Sequence, residues 1–285
     1  MRNIEVLIIP DVHGRTFWKD AIEIFPIEKF PNLQIIFLGD YLDPYTGYEP
    51  ITKEDAFEGF KEILSLDDPR ITLLIGNHDW HYFVNLDTCR IDYAHEKEIE
   101  KLFTSNISKF RLHKLIELDG CKYLFSHAGI TQNWLNDIAG MAAQEFNEWN
   151  PGDPSDTNYI DPEVDEDYKW IEKMSHINET HDFELLEKCL QNYDNNFYTC
   201  PISMVSRERG GWYPHGSLIW ADVHEHIYDE LKGYYQIFGH TMTYPSGQKD
   251  YAISPNGKSW AMIDASQAFI IDVEGNIESI EGLIE

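Results

Sequence analysis

At 285 residues the chain is long enough to bury a sizeable core, and no run in it approaches the roughly 20 apolar residues that a membrane-spanning helix requires. Its formal charge is −28, and its densest basic spot is SRERGG (206–211), so long nucleic acid is excluded as a substrate because a polyanion would be repelled. Most of this acidity reads as surface charge that keeps the protein soluble.

In chain order, IEVLII (4–9) predicts a buried strand and opens onto DVHGR (11–15). QIIFL (34–38) predicts a second strand, followed by GDYLD (39–43). Thr52 with Asp55 is a capping signal, and Ala56, Phe57, Phe60, Ile63 and Leu64 then mark one apolar face, predicting a helix over 52–65. ITLLI (71–75) predicts a third strand ahead of GNHD (76–79), and His95 to Asn106 a helix packed through Ile99, Leu102 and Phe103. CKYLF (121–125) leads into SHAG (126–129), and YYQIF (234–238) into GHT (239–241). Between these last two motifs lies an acidic, aromatic-rich insertion or lid at about 132–200. Within it, residues 145–170 show no clear period, and 182–193 predict a helix through Phe183, Leu185, Leu186 and Leu190. Trp149, Tyr159, Tyr168 and Trp170 read as aromatics pinning an irregular segment to the core, ahead of a role in stacking on substrate. SWAMID (259–264), AFIIDV (268–273) and IESIE (277–281) are expected as strands of a second sheet.

Five loops thus follow apolar strands, at the strand ends where open α/β sheets place ligands. Asp11 and His13 are two apart on an extended segment, so both can face one ion. Asp40 has two carboxylate oxygens and is the natural ligand shared by two cations. Asn77 follows a glycine, and His127 and His240 each offer a neutral nitrogen. Oxygen and imidazole donors without thiolate suit manganese, iron or zinc. Two such ions clamp the attacking and leaving oxygens of an in-line displacement, which is the chemistry of phosphoester hydrolysis.

The ordered set resembles the calcineurin-like metallophosphoesterase superfamily. It is closest to the phosphoprotein phosphatase branch and its bacterial relatives, which carry GDxHG, GDxxDRG, GNHE, HGG and a late histidine. The resemblance implies an α/β fold, a four-layer α/β/β/α sandwich of two mixed sheets flanked by helices, as one domain over 1–285. It implies two divalent metal ions, manganese first with iron or zinc as alternatives. Asp11, His13 and Asp40 would hold one ion, and Asp40, Asn77, His127 and His240 the other. It further implies that His78 protonates the leaving group, that Asp43 orients His78, and that a metal-bridging hydroxide attacks phosphorus without a phosphoenzyme.

Three departures stand out. The last motif reads Gly239-His240-Thr241-Met242, lacking the second histidine common in the wider superfamily; Pro44 and Tyr45 replace the Arg-Gly of the second motif; and Asp79 replaces a glutamate. Phosphate binding then falls to Arg15, Arg207 and Arg209 as candidates. The expected activity is that of a serine/threonine phosphatase or general phosphomonoesterase. Hydrolysis of diadenosine polyphosphates or other small nucleotides is the alternative, and an inactive phosphate-binding pseudophosphatase the reading from another class. The partner is accordingly a phosphorylated substrate, whether phosphoprotein, small ester or nucleotide, with no membrane.

His81, His95, His113, His176, His181, His215, His224 and His226 are expected in solvated surface roles. Asp222 and Glu225 fit an exposed acidic helix start. Cys89, Cys121, Cys189 and Cys200 lack CxxC spacing, and the MRNIEVLII start lacks the pattern of a signal peptide. Both fit a cytoplasmic location.

Overall fold

Period-two alternation in the first strand sorts its side chains between two different surroundings. The structure, a computed structural model, describes residues 4–45, 50–84, 89–148, 154–156, 159, 161, 165–192, 200–242, 252–264 and 266–280. In β1 (Ile4–Ile9), Leu7 and Ile9 pack with the helices, whereas Val6 and Ile8 face a second sheet. Helix α1 (Phe17–Ile24) then leads to β2 (Gln34–Phe37), where Ile35 and Phe37 repeat the first environment and Ile36 the second. Both strands are buried on both faces, which accounts for their near-continuous apolar sequences.

Helix α2 (Lys53–Leu64) starts at a capping box in which Thr52 and Asp55 satisfy each other's backbone amides. Next come β3 (Ile71–Leu74), α3 (Asn77–Val84), α4 (Glu96–Ser105) and the two-residue β4 (Phe110–Arg111). The chain then crosses to the second sheet through β5 (His113–Leu118) and β6 (Cys121–Ser126). The insertion follows as α5 (Gln132–Glu148), α6 (Glu166–Ser175), α7 (Ile177–Thr180) and α8 (Phe183–Asn192). The remaining elements are α9 (Val223–Tyr228), β7 (Tyr235–Phe238), β8 (Ala252–Ile253), β9 (Trp260–Met262), β10 (Phe269–Asp272) and β11 (Ile277–Ser279).

The six-stranded sheet has the order β11-β10-β1-β2-β3-β4 and the five-stranded sheet β5-β6-β7-β9-β8. Both are mixed: β1, β2, β3 and β4 run parallel, as do β6, β7 and β9, while β10 and β5 pair antiparallel with β1 and β6. Val6, Ile8, Ile36, Leu74, Phe125, Ile237 and Ile271 fill the seam between the sheets. With helices outside, this is the expected α/β/β/α sandwich.

Two expectations are corrected. Of the three late strands, only β9 joins the second sheet; β10 and β11 return to the first, with Phe269 opposite Ile8. Hydrophobic runs report burial, and they do not say which of two apolar edges a strand will cover. The segment expected to lack a period is partly helical, since α5 runs to Glu148 and α6 begins at Glu166, capped by the Asp165 side chain. Trp170 packs on the core as a pinning aromatic, whereas Tyr168 on α6 lies 4.9 Å from the ring of Phe146 on α5, joining two helices of the insertion. Trp149 lies outside the described residues. No described helix is long and apolar enough to cross a membrane.

Candidate metal centre

The loops after β1, β2, β3, β6 and β7 meet at one end of the seam, and their backbones are laced together. The His13 amide donates to Asp40 O at 2.7 Å, that of Gly14 to Tyr41 O at 3.0 Å, and that of Gly239 to His127 O at 2.8 Å. Asp79 adds a clamp: its carboxylate accepts the amides of Asp40, Tyr41 and Gly76 at 2.7, 3.0 and 2.8 Å. Two glycines make room for the ligands. A Cβ on Gly76 would lie 2.1 Å from Asp40 Oδ1, and one on Gly239 would lie 2.0 Å from Asp11 Oδ1. His13, Asp40, Asp43, Arg90 and His240 all take positive φ, between 44° and 69°, a region that non-glycine residues occupy at a cost of about 1–3 kcal/mol each.

Asp40 occupies the middle of the cluster. Its Oδ2 lies 3.5 Å from His13 Nε2 on one side and 3.6 Å from His127 Nε2 on the other. His127 Nε2 in turn lies 3.0 Å from Asn77 Oδ1 and 3.2 Å from His240 Nδ1. Asp11, Asp40 and His127 offer ligand atoms within 4.8 Å of one another. The tautomers are set from outside: His13 Nδ1 donates to Leu42 O at 2.8 Å and His127 Nδ1 to Leu38 O at 2.9 Å. Each ring therefore turns an unprotonated Nε2 inward, the arrangement that carbonyl partners impose on metal-ligating imidazoles.

Burial and charge fit the same purpose. Burial, with the charge of Asp40 added, pushes the Asp11 carboxyl well above its usual range. Burial and the charge of Asp11 do the same to Asp264. Burial holds His13 down to about 3, and burial with the Arg209 charge holds His240 well below its ordinary value, so both rings stay neutral. Burial opposes ionisation of Asp40, but the surrounding histidines outweigh it and lower its pKa. His127 Nε2 and His240 Nδ1 meet at hydrogen-bond distance beside buried carboxylates, while His240 Nε2 is buried without a hydrogen-bond partner among the described residues, an orphaned donor atom of the kind a cation would satisfy. The donor set fits divalent ions with oxygen and imidazole preference.

Beside this cluster, His78 Nδ1 lies 2.9 Å from Asp43 Oδ2, and its ring is 5.3 Å from that of His13. Asp43 is enclosed by donors: Tyr82 Oη donates to Oδ1 at 2.7 Å, and His81 Nε2 lies 2.9 Å from Oδ2. Burial would raise the Asp43 pKa, but the hydrogen bonds of His78 and His81 lower it overall.

The three arginines named from sequence are placed differently. Arg15 spends its donors on Val12 O, Asp11 O and Ser266 Oγ, bracing the first loop. Arg209 pairs with Asp222 at 2.8 Å and donates to His240 O and Thr241 Oγ1. Arg207 is exposed, on the same short turn. A fourth arginine, absent from the sequence reading, reaches the site: Arg90 donates to His78 Nε2 at 2.7 Å and to Asp43 O at 2.8 Å, and lies 3.8 Å over the Tyr45 ring.

Three histidines expected at the surface are buried: His81, His113, which pairs with Glu187 at 2.9 Å, and His226, which donates from Nε2 to Ala128 O at 2.9 Å. Tertiary packing hides them, and one sequence signal was present only for His81. Three residues after His78, it shares a helix face with it once 77–84 is helical. A helix does start at Asp222 and Glu225, through a capping box, but Asp222 is buried where an exposed start was expected.

The sequence profile of calcineurin-like phosphoesterases matches residues 4–244. No curated protein matches the chain. Among solved structures, a protein serine/threonine phosphatase from Saccharomyces cerevisiae aligns at 12% identity and a TM-score of 0.46, over 98% of this chain and 80% of its own. A cold-active protein tyrosine phosphatase aligns at 13% identity and 0.41, over 97% and 78%.

Proposed function

The chain belongs to the calcineurin-like phosphoesterase family and is a phosphoesterase hydrolase with residues suited to a divalent metal centre, and we propose that it is a phosphomonoesterase of the serine/threonine phosphatase type. In this reading Asp11, His13 and Asp40 hold one ion, and Asp40, Asn77, His127 and His240 a second. The ions are manganese, with iron or zinc able to replace it. When bound, they neutralise phosphoryl oxygens and acidify water.

The observation that carries the substrate class is the His78–Asp43 pair, at 2.9 Å and buried. An alkoxide such as that of serine or threonine is a strong base and departs only with a proton, whereas aryl oxides and phosphoanhydride groups depart without one. Asp43 accepts the hydrogen bond of Nδ1–H, fixing the ring so that Nε2 is the nitrogen turned to the leaving oxygen. Such a pair is redundant for a diadenosine polyphosphate and needed for an alkyl ester. Ser126, the serine nearest the ligands, accepts the Gly129 amide through Oγ at 3.1 Å and has no base beside it, so direct attack by water is preferred over a phosphoserine route.

The test compares wild type and His78→Ala on a phosphoserine peptide, an aryl phosphate and a diadenosine polyphosphate. We expect wild type to favour the peptide, and the variant to lose about 10²–10⁴-fold in kcat on it with a much smaller loss on the aryl ester. Equal losses on all three would refute the role of His78. Preference of wild type for the dinucleotide would move the assignment to nucleotide hydrolysis.

A further inference from the structure

A phosphoryl dianion bound against metal ions still presents oxygens that need donors from the protein. Among the arginines that reach the site, Arg15 lies 4.0 Å from Asp264 and Arg209 is paired with Asp222. Arg90 makes no ion pair among the described residues. Its guanidinium is instead stacked on the Tyr45 ring, and that ring meets His13 edge-on at 4.8 Å between centroids. Its φ of 69° holds the backbone in the left-handed region, so the chain accepts local strain at Arg90 itself. Its Nη2 donates to a neutral imidazole nitrogen, His78 Nε2, and its Nη1 to a backbone carbonyl, Asp43 O, both weaker acceptors than a phosphate oxygen. A cation this close to His13 and His78, with a ring nitrogen and a backbone carbonyl as its acceptors among the described residues, is poised for an anion.

We propose that Arg90 is the side chain that grips the substrate's phosphoryl group, and that in the free enzyme it caps His78 Nε2 until the phosphate draws it away. Tyr45 is the surface along which the guanidinium slides: stacking keeps the planar group oriented while its N–H fork turns from His78 and Asp43 O to two phosphate oxygens. The exchange frees the lone pair of His78 Nε2 only when substrate is bound; that nitrogen then takes up a proton from solvent, which it gives to the leaving oxygen, so the phosphate's arrival and the arming of His78 become one event. This rests on the phosphomonoesterase reading for its substrate, while the anion site itself does not require turnover.

The test uses the metal-loaded protein with inorganic phosphate and the phosphoserine peptide as probes. Arg90→Ala is expected to keep its metal content, to bind phosphate at least tenfold more weakly by calorimetry, and to lose about 10²–10³-fold in kcat/KM. Added guanidinium is expected to restore part of that loss, and Arg90→Lys to recover phosphate affinity better than rate, because it keeps the charge without the fork. Unchanged phosphate affinity in Arg90→Ala, or weakening found only in Arg209→Ala, would overturn the proposal. If wild type binds phosphate through Arg90 yet cleaves no phosphomonoester, the functional reading fails and the anion site stands.

Discussion

Asp79 and Asp40 fix each other's loops: Asp79 Oδ2 accepts the Asp40 amide at 2.7 Å, and Asp40 Oδ1 accepts the His78 amide, next to Asp79, at 2.9 Å. The carboxylate proposed to bridge the ions is thereby aimed by a residue outside the proposed ligand set. Asp79→Asn turns an amide N–H₂ toward backbone donors. It is expected to cost about 1–3 kcal/mol of stability in denaturant titrations and to weaken metal binding about 10–100-fold. Unchanged metal affinity would show that the loops hold their shape without this clamp.

Asp40 lies between His13 and His127 with one oxygen about equally far from each. Asp40→Asn is therefore expected to lower occupancy of both ions and abolish phosphate release, read by elemental analysis alongside an aryl phosphate assay. Loss of turnover with two ions retained would argue that Asp40 serves a single ion.

Gly239→Ala places a methyl group where Asp11 Oδ1 now lies. The backbone there cannot retreat, because the Gly239 amide is bonded to His127 O. The carboxylate must swing out, so the variant should fold with nearly normal circular dichroism and a depleted first site. Full metal content would mean that the loop yields instead.

His226 carries a pH signature apart from the metal ligands. Burial lowers its folded-state pKa to about 4 from the ordinary imidazole value of 6.5. Between these values the unfolded chain binds a proton that the folded chain refuses, so stability rises with pH across that window. It is lost as pH falls from about 6.5 to about 4, by about 3 kcal/mol for a shift of this size. His13, held to about 3, contributes with the same sign. The difference between wild type and His226→Gln, followed by urea titration of the metal-free protein, should isolate the His226 share, and parallel pH profiles would contradict it.

The strands before the five motifs were legible because each is an apolar run ended by a turn-favouring residue, Pro10, Gly39, Gly76, Ser126 or Gly239, and β1 begins and ends where the hydrophobic pattern does. The candidate ligands were legible for the same reason, since position after a strand fixes direction. Arg90 was not, for it follows α3 in a polar stretch, and only the return of that chain over Tyr45 gives it meaning. The helix at 77–84 was hidden because its polar N-terminal turn, Asn77-His78-Asp79, is buried against the site instead of facing solvent. The placing of β10 against β1 depends on which edge lies open after the second sheet has formed, a property of topology that no local window carries.

Asp11, His13, Asp40 and Asn77 hang from the first sheet, His127 and His240 from the second. On the proposed assignment, ions held by all six would clasp one end of the sandwich, where the seam is otherwise apolar side chains and a few hydrogen bonds such as that of His127 Nδ1 to Leu38 O. If two ions bind as proposed, they would tie the ligand-bearing ends of the two sheets to each other as well as set up the chemistry, so that metal content and the rigidity of that end would rise and fall together.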